Sequence, residues 1–408
     1  MNNKWSAWLL GAVLAACYLY RTVALPLPSL GPASSDFWWY HQAARAILGG
    51  VSPFSVADFA YPPLLAFLLT PLGLLSYEAA RWAWFALSHA FLLGAGYLVW
   101  RVAGGDRPAL LAVLAVWACG GAIAESLMLG QINPLLLLLV TLSWYPLRGP
   151  AGAASLALAA ALKIWPATLL AAYALLRKRR ALAAGVTLFA LLALLPGLAT
   201  ALLLGPPAFP PATRYWMGTP ALFNFSLPAV ALRILDPPAG AGRLPHNWEF
   251  GNNVHELNVA ETHLWIAVTV AAGTLAAGLL SLHRWAALKP EKTPLPLVSA
   301  ALVALTLAAS PVCWSHYQLL QYPGVALLLA GFVRQKRFWA AGALAAVFLG
   351  VYQLPILGLG PYLATYGWTA ANRPLLWALT SMTPLCSLGL FVFCWYELGR
   401  GEGKDRGC

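Results

Sequence analysis

Apolar runs recur along nearly the whole chain, from residue 5 to residue 397, separated by short clusters of Pro, Gly, polar and charged residues. Stretches such as 135–140 and 153–162 are apolar without interruption. A transmembrane barrel strand alternates polar and apolar residues at period two, so these stretches predict helices. A helix also satisfies every backbone group within its own segment, which lipid demands. The pattern therefore predicts an all-α polytopic membrane protein. Its spans fall near 5–25, 79–101, 108–128, 134–147, 151–163, 166–177, 181–204, 263–285, 295–312, 316–333, 337–356 and 374–397. That is a bundle of about twelve transmembrane helices, with 1–408 as one integral membrane domain.

Three places break the pattern. Segment 61–75 is apolar but carries Pro62, Pro63 and Pro71. Counting it as a span would invert every later loop, so it reads as a re-entrant or partly embedded element, tolerated where protein covers the backbone. Segments 151–163 and 166–177 fall short of the ~20 residues of a straight span. Joined through Lys163, Ile164, Trp165 and Pro166, they predict a V-shaped pair of the kind that lines a polar cavity. The connections 26–60 and 205–262 are long among short ones, which marks them as functional candidates. Within the first, Asp36 to Leu48 reads as an interfacial helix after the first span. Ser34 or Ser35 would cap it, and its Trp and Tyr residues would rest at headgroup level.

Composition sharpens this picture. The 408 residues are 61% hydrophobic and 9% charged, with a mean hydropathy of +0.71; a soluble domain carries about 25% charged residues. The net charge of +12 does not point to nucleic acid, because the basic residues sit in short loops beside apolar runs. Arg177-Lys178-Arg179-Arg180 is the densest cluster, followed by Arg334-Gln335-Lys336-Arg337, Arg284 to Lys292 and the tail 398–408. Cytoplasmic loops carry such excesses, so both ends of the chain are expected in the cytoplasm and the two long loops outside. The six cysteines (Cys17, Cys119, Cys313, Cys386, Cys394, Cys408) form no CxxC pair, which argues against a structural disulfide or zinc site. Segment 5–25 has no small-residue cleavage motif leading into a polar domain and reads as the first span rather than a leader.

With so few charges, polar residues at the outer helix ends carry the information. Asp36 opens the interfacial helix, where a carboxylate can act as a general base or can simply complement the helix dipole. Gly130-Gln131-Ile132-Asn133-Pro134 sets two amides at a turn; these suit sugar hydroxyls, and a turn with a capping Asn accounts for them equally well. Glu125 lies just inside the preceding helix, a costly position for an acid, and could pair with Lys163. Lys163 puts an ammonium at the tip of the short V, suited to a lipid phosphate or to snorkelling toward the interface. Ser310-Pro311-Val312-Cys313-Trp314-Ser315-His316-Tyr317-Gln318 places Trp314 and His316 where two spans meet. Asn224 to Pro228, followed by Arg233, is a fifth group, and Arg233 or Arg214 could contact phosphate. His246, His255 and His263 lack zinc spacing.

The chain has no P-loop, dinucleotide fingerprint or HExxH motif, and no Asp-x-Asp for a metal-bound nucleotide diphosphate. A transferase with these absences would draw its donor from the membrane.

In this order the motifs resemble family 87 glycosyltransferases of the GT-C superfamily, which include polyprenol-phosphate-mannose-dependent α-mannosyltransferases of bacteria. The resemblance rests on Asp36-Phe37 with Tyr40 and Ala43-Ala44-Arg45, on Tyr61-Pro62-Pro63 with Pro71-Leu72, and on Gly130-Gln131-Ile132-Asn133. It continues through Ala160-Ala161-Leu162-Lys163 with Pro166, Asn224 to Pro228 with Arg233, and Ser310-Pro311 with Trp314 and His316. It runs from about residue 30 to 335. Ser315 and Tyr317 stand where members often carry Asp and a second His, and the 205–262 loop departs from the family's pattern. The resemblance implies an inverting hexosyl transfer, by default of mannose, from a polyprenyl-phosphate donor to a lipid or glycan acceptor. Neither metal nor other cofactor is expected, nor a nucleic-acid partner. Asp36 would be the base, with His316 a second catalytic candidate. Lys163 and Arg233 would meet the donor phosphate, while Gln131, Asn133, Tyr61, Trp314 and Tyr40 would line the sugar and acceptor side. The work would be done at the extracytoplasmic face of a bacterial cell membrane. Two rivals are a transporter or flippase for a lipid-linked saccharide and an assembly partner without activity. A transporter would gather polar residues near the midplane of pseudo-symmetric halves, and neither feature is legible.

Overall fold

The computed structural model describes residues 3–24, 35–56, 59–144, 149–207, 224–235, 261–288, 294–351 and 373–400. The loop positions Arg214, His246 and His255, and the tail beyond residue 400, lie outside them. Among the described residues the regular structure is helical, and one isolated antiparallel bridge joins Asn224 to Trp314.

The helices are α1 (Asn3–Leu19), α2 (Asp36–Leu48), α3 (Pro63–Leu68), α4 (Thr70–Gly73), α5 (Tyr77–Val102), α6 (Arg107–Cys119), α7 (Gly121–Leu129), α8 (Asn133–Trp144) and α9 (Pro150–Leu162). They continue as α10 (Ala171–Leu175), α11 (Arg179–Ala199), α12 (Leu227–Leu235), α13 (Glu261–Leu288), α14 (Leu295–Ala309), α15 (Tyr322–Arg334), α16 (Phe338–Ala345) and α17 (Arg373–Arg400). Among the described residues, four stretches are long and apolar enough to cross a membrane: Tyr77–Val102, Arg179–Leu204, Thr262–Ala286 and Ser381–Leu398. The count is five if α6 and α7 form one broken span. Six shorter apolar helices, such as Asn133–Trp144 and Pro150–Leu162, fall below crossing length. Only 11% of the apolar window of Arg179–Leu204 is buried; its exposed leucines, such as Leu202 and Leu203, form the lipid-compatible surface that a membrane helix requires.

The chain divides into two compact units. One comprises residues 19–102 and 123–212, the other residues 1–18, 103–122 and 213–408. In the first, α9 packs between α8 and α11, α5 lies along α8, and α2 rests on α3, α4 and α5. In the second, α14 packs on α13, α15 and α17, and α6 packs on α15.

Three local features differ from the sequence pattern. The run 108–128, expected as one span, is broken at Gly120. A Cβ there would come within 2.0 Å of the Tyr322 ring, a close approach that the apolar run does not encode. Ser35 is the N-cap of α2 but does not cap it; its hydroxyl donates instead to Leu129 O at 3.1 Å. Tyr40 of the same helix, expected at headgroup level, is buried, as is Phe37, and Trp38 and Trp39 are half-buried. The proline-broken segment resolves into the short helices α3 and α4, and the short pair into α9 and a 3-10 turn (Trp165–Leu170) continuing as α10.

Candidate active site

The first unit builds its site on a helix end. At the close of α7 the Gln131 amide donates to Ser126 O at 2.8 Å and the Gly130 amide to Leu127 O at 3.2 Å. This is the Schellman pattern, in which the residue just past the helix turns left-handed, and Gly130 has φ +65°. The turn aims the Gln131 side chain, which is buried, at the start of α2. Its Nε2 donates to Asp36 Oδ2. Its Oε1 accepts from the hydroxyls of Tyr40 at 3.3 Å and Tyr61 at 3.4 Å. Donation on one side and acceptance on the other fix which way the amide faces.

Tyr40 sits four residues after Asp36 and so shares its face of α2. Tyr61 stands just before Pro62 and Pro63 and meets Tyr40 edge to face at 4.9 Å. Burial foremost, and secondarily the Asp36 carboxylate, hold the Tyr61 phenol above its ordinary range, so it stays protonated and can keep donating.

Lys163 completes the cluster. It lies at the C-cap of α9, in an extended conformation (φ −154°, ψ 114°), with Pro166 three residues on to block a continuing helix. Its side chain is 7% exposed. Nζ donates to Asn133 Oδ1 at 3.3 Å and lies 5.4 Å from the Tyr61 ring centroid. Asn133, fully buried, opens α8 two residues after Gln131. The first unit therefore joins Asp36, Tyr40, Tyr61, Gln131, Asn133 and Lys163 in one contiguous set. A carboxylate held by an amide, two phenols and an ammonium suit recognition of hydroxyls and of an anion.

Helix α2, which carries the carboxylate, is locked from below. Phe37 stacks on Trp84 of α5 at 5.6 Å and 13°. His41, buried, lies 3.2 Å through Nε2 from Leu75 O. Burial depresses its pKa and keeps the ring neutral, with Nε2 as the donor to that carbonyl.

The second unit brings together two other segments singled out in the sequence. Asn224 donates through Nδ2 to Pro311 O at 2.9 Å and accepts through Oδ1 from Cys313 N at 2.8 Å and Ser226 Oγ at 3.1 Å. Phe225 N donates to Cys313 O at 2.7 Å. The pairing fixes the strand-like stretch 311–314 that leads into a 3-10 turn (Ser315–Gln321) carrying His316. His316 is buried and packs edge to face on Tyr317 at 4.9 Å; Trp314 is half-buried. Arg233 lies on α12, and its side chain is outside the described atoms.

Comparison with known proteins matches residues 59–311 to the model of glycosyltransferase family 87. The chain belongs to that family. It is also 28% identical over 377 residues to a polyprenol-phosphate-mannose-dependent alpha-(1-2)-phosphatidylinositol mannoside mannosyltransferase of Mycobacterium tuberculosis, covering 84% of this chain and 80% of that protein. The stretch matched to family 87 takes in Tyr61, Gln131, Asn133, Lys163 and Asn224. It begins after Asp36 and Tyr40 and ends before Trp314 and His316.

Two residues that sequence reasoning passed over, Arg81 and Trp84, hold the 127–130 turn beside this cluster. Arg81 was readable as an arginine inside an apolar helix, itself a functional signal; Trp84 carried no signal of its own.

Proposed function

We propose that this glycosyltransferase moves mannose from polyprenyl-phosphate mannose to a lipid or glycan acceptor at the extracytoplasmic face of a bacterial membrane, with inversion at the sugar carbon. The observation that carries the reading is the Gln131 amide, which holds the Asp36 carboxylate on one side and the two tyrosine hydroxyls on the other. Asp36 takes the proton of the acceptor hydroxyl as that oxygen attacks the anomeric carbon. The bond to the polyprenyl phosphate breaks, and the charge that grows on the leaving phosphate is met by Lys163, as an anionic leaving group requires. Gln131, Asn133, Tyr40 and Tyr61 orient hydroxyls. For the second unit, the roles the family resemblance implies are His316 as a donor to phosphate or sugar oxygen, Arg233 as a phosphate contact and Trp314 as a sugar or acceptor contact. No metal enters this scheme.

The relative's donor and acceptor support the choice of a lipid-linked sugar. A twelve-crossing arrangement with cytoplasmic termini, and α2 as an interfacial helix, would set Asp36 and Lys163 at the outer face. The test is transfer by purified protein in lipid nanodiscs, with a panel of polyprenyl-phosphate sugars and extracted membrane lipids. Transfer of mannose from its polyprenyl phosphate is expected. Transfer from a nucleotide sugar alone, or no transfer from any polyprenyl-phosphate sugar, would overturn the reading.

A further inference from the structure

Arg81 lies in the first turns of α5 and is 2% exposed. Its Nη2 donates to Leu127 O at 3.3 Å and to Met128 O at 2.5 Å. These carbonyls belong to the last turn of α7, where helix ends leave acceptors without intrahelical partners and the dipole favours a cation. Nη1 is packed so closely on Gly130 that a Cβ there would approach it to 2.0 Å. Nε and Nη1 are buried without a hydrogen-bond partner among the described residues. The guanidinium also lies 6.0 Å from the Phe37 ring centroid, one residue from Asp36, and within electrostatic reach of the Asp36 carboxylate. Trp84, one turn along α5, donates Nε1 to Gly130 O at 2.8 Å.

An arginine buried beside apolar rings is costly, so packing alone does not account for it. What it reaches is the turn that aims Gln131. We propose that Arg81 is the positioning residue of the site: it pins the 127–130 turn and the Phe37 face of α2 together, so that Gln131 meets Asp36. Both carbonyls accept from one guanidinium nitrogen, Nη2, beside the Phe37 ring, and a delocalised, weakly hydrated guanidinium suits such a buried place better than an ammonium. Trp84 closes the same turn from its last carbonyl. Arg81 touches no reacting atom. Its effect passes through Gln131, and this inference rests on Asp36 being the base proposed above.

Arg81→Met and Arg81→Lys are compared with Arg101→Met, which removes an exposed cation at the far end of the same helix. The protein is full length, in nanodiscs, and has two readouts. Amide exchange of residues 126–131 is expected to quicken about tenfold in Arg81→Met, less in Arg81→Lys and not at all in Arg101→Met. With polyprenyl-phosphate mannose, kcat falls at least about tenfold in Arg81→Met, with donor KM within about twofold and partial recovery in Arg81→Lys, as expected for a group that acts only on the chemical step. Unchanged exchange in the turn overturns the proposal, and so does faster exchange with wild-type kcat. If Arg81→Met does not accumulate, Arg81→Lys decides by the same two readouts. A wild-type protein that transfers no sugar refutes the proposed function, while exchange still decides whether Arg81 pins the turn.

Discussion

Gln131 donates its side-chain amide to the carboxylate of Asp36 across 95 positions of sequence, joining the end of one helix to the start of another. The same amide accepts from Tyr40 and Tyr61. Gln131→Leu keeps the volume and removes all three hydrogen bonds. Turnover with polyprenyl-phosphate mannose is expected to fall about 10- to 100-fold, less than the roughly 100- to 1,000-fold cost of removing a donor to developing charge, because Gln131 positions the base. Steady-state kinetics read it, and wild-type kcat would separate Gln131 from the base.

Gly130 is held at φ +65° with Arg81 and Phe37 against it. Gly130→Ala would place a Cβ 2.6 Å from Phe37 Cβ. The left-handed backbone alone costs about 1–2 kcal/mol for a residue with a Cβ, and the clash adds to it. A lower thermal midpoint in detergent and loss of transfer are expected together.

Lys163 is expected to act on the donor. Lys163→Met removes the charge while keeping the apolar stem, and should raise donor KM or lower kcat by about tenfold or more. Lys163→Arg should retain part of the activity. The comparison is made with a lipid-phosphate inhibitor as well: if both variants bind it as wild type does, the phosphate contact is elsewhere.

How much of this was legible in the sequence depends on the range of each interaction. The helices formed over the apolar runs, and the breaks at Pro62, Pro63 and Pro166 fell where a missing amide and a fixed φ demand them. Asp36, Gln131, Asn133 and Lys163 stood out as polar residues in an apolar chain, and the structure brings them together. The break at Gly120 was hidden, as was the close approach there of Tyr322 from far along the chain. Ser35 looked like a cap, but its hydroxyl is taken by Leu129 O, 94 positions away. Arg81 was passed over; only the turn it holds shows its place.

Asn224 is the counterpart of Gln131 in the second unit, tying 224–226 to 311–313 through two of its three hydrogen bonds and accepting the third from Ser226. Asn224→Ala leaves a buried amide and carbonyl without partners, a loss of about 1–3 kcal/mol. The thermal midpoint should fall, and exchange at the Cys313 amide should quicken. A stability equal to wild type would show that the pairing adds nothing.

The central claim is that Asp36 takes the acceptor's proton. Asp36→Asn keeps the shape and offers the amide of Gln131 a neutral acceptor, so binding and chemistry separate cleanly. Single-turnover transfer from polyprenyl-phosphate mannose, measured beside binding of the same donor, tests it most directly. The expected result is transfer reduced at least about 1,000-fold with donor affinity within about threefold of wild type. Transfer at the wild-type rate by Asp36→Asn would contradict the account.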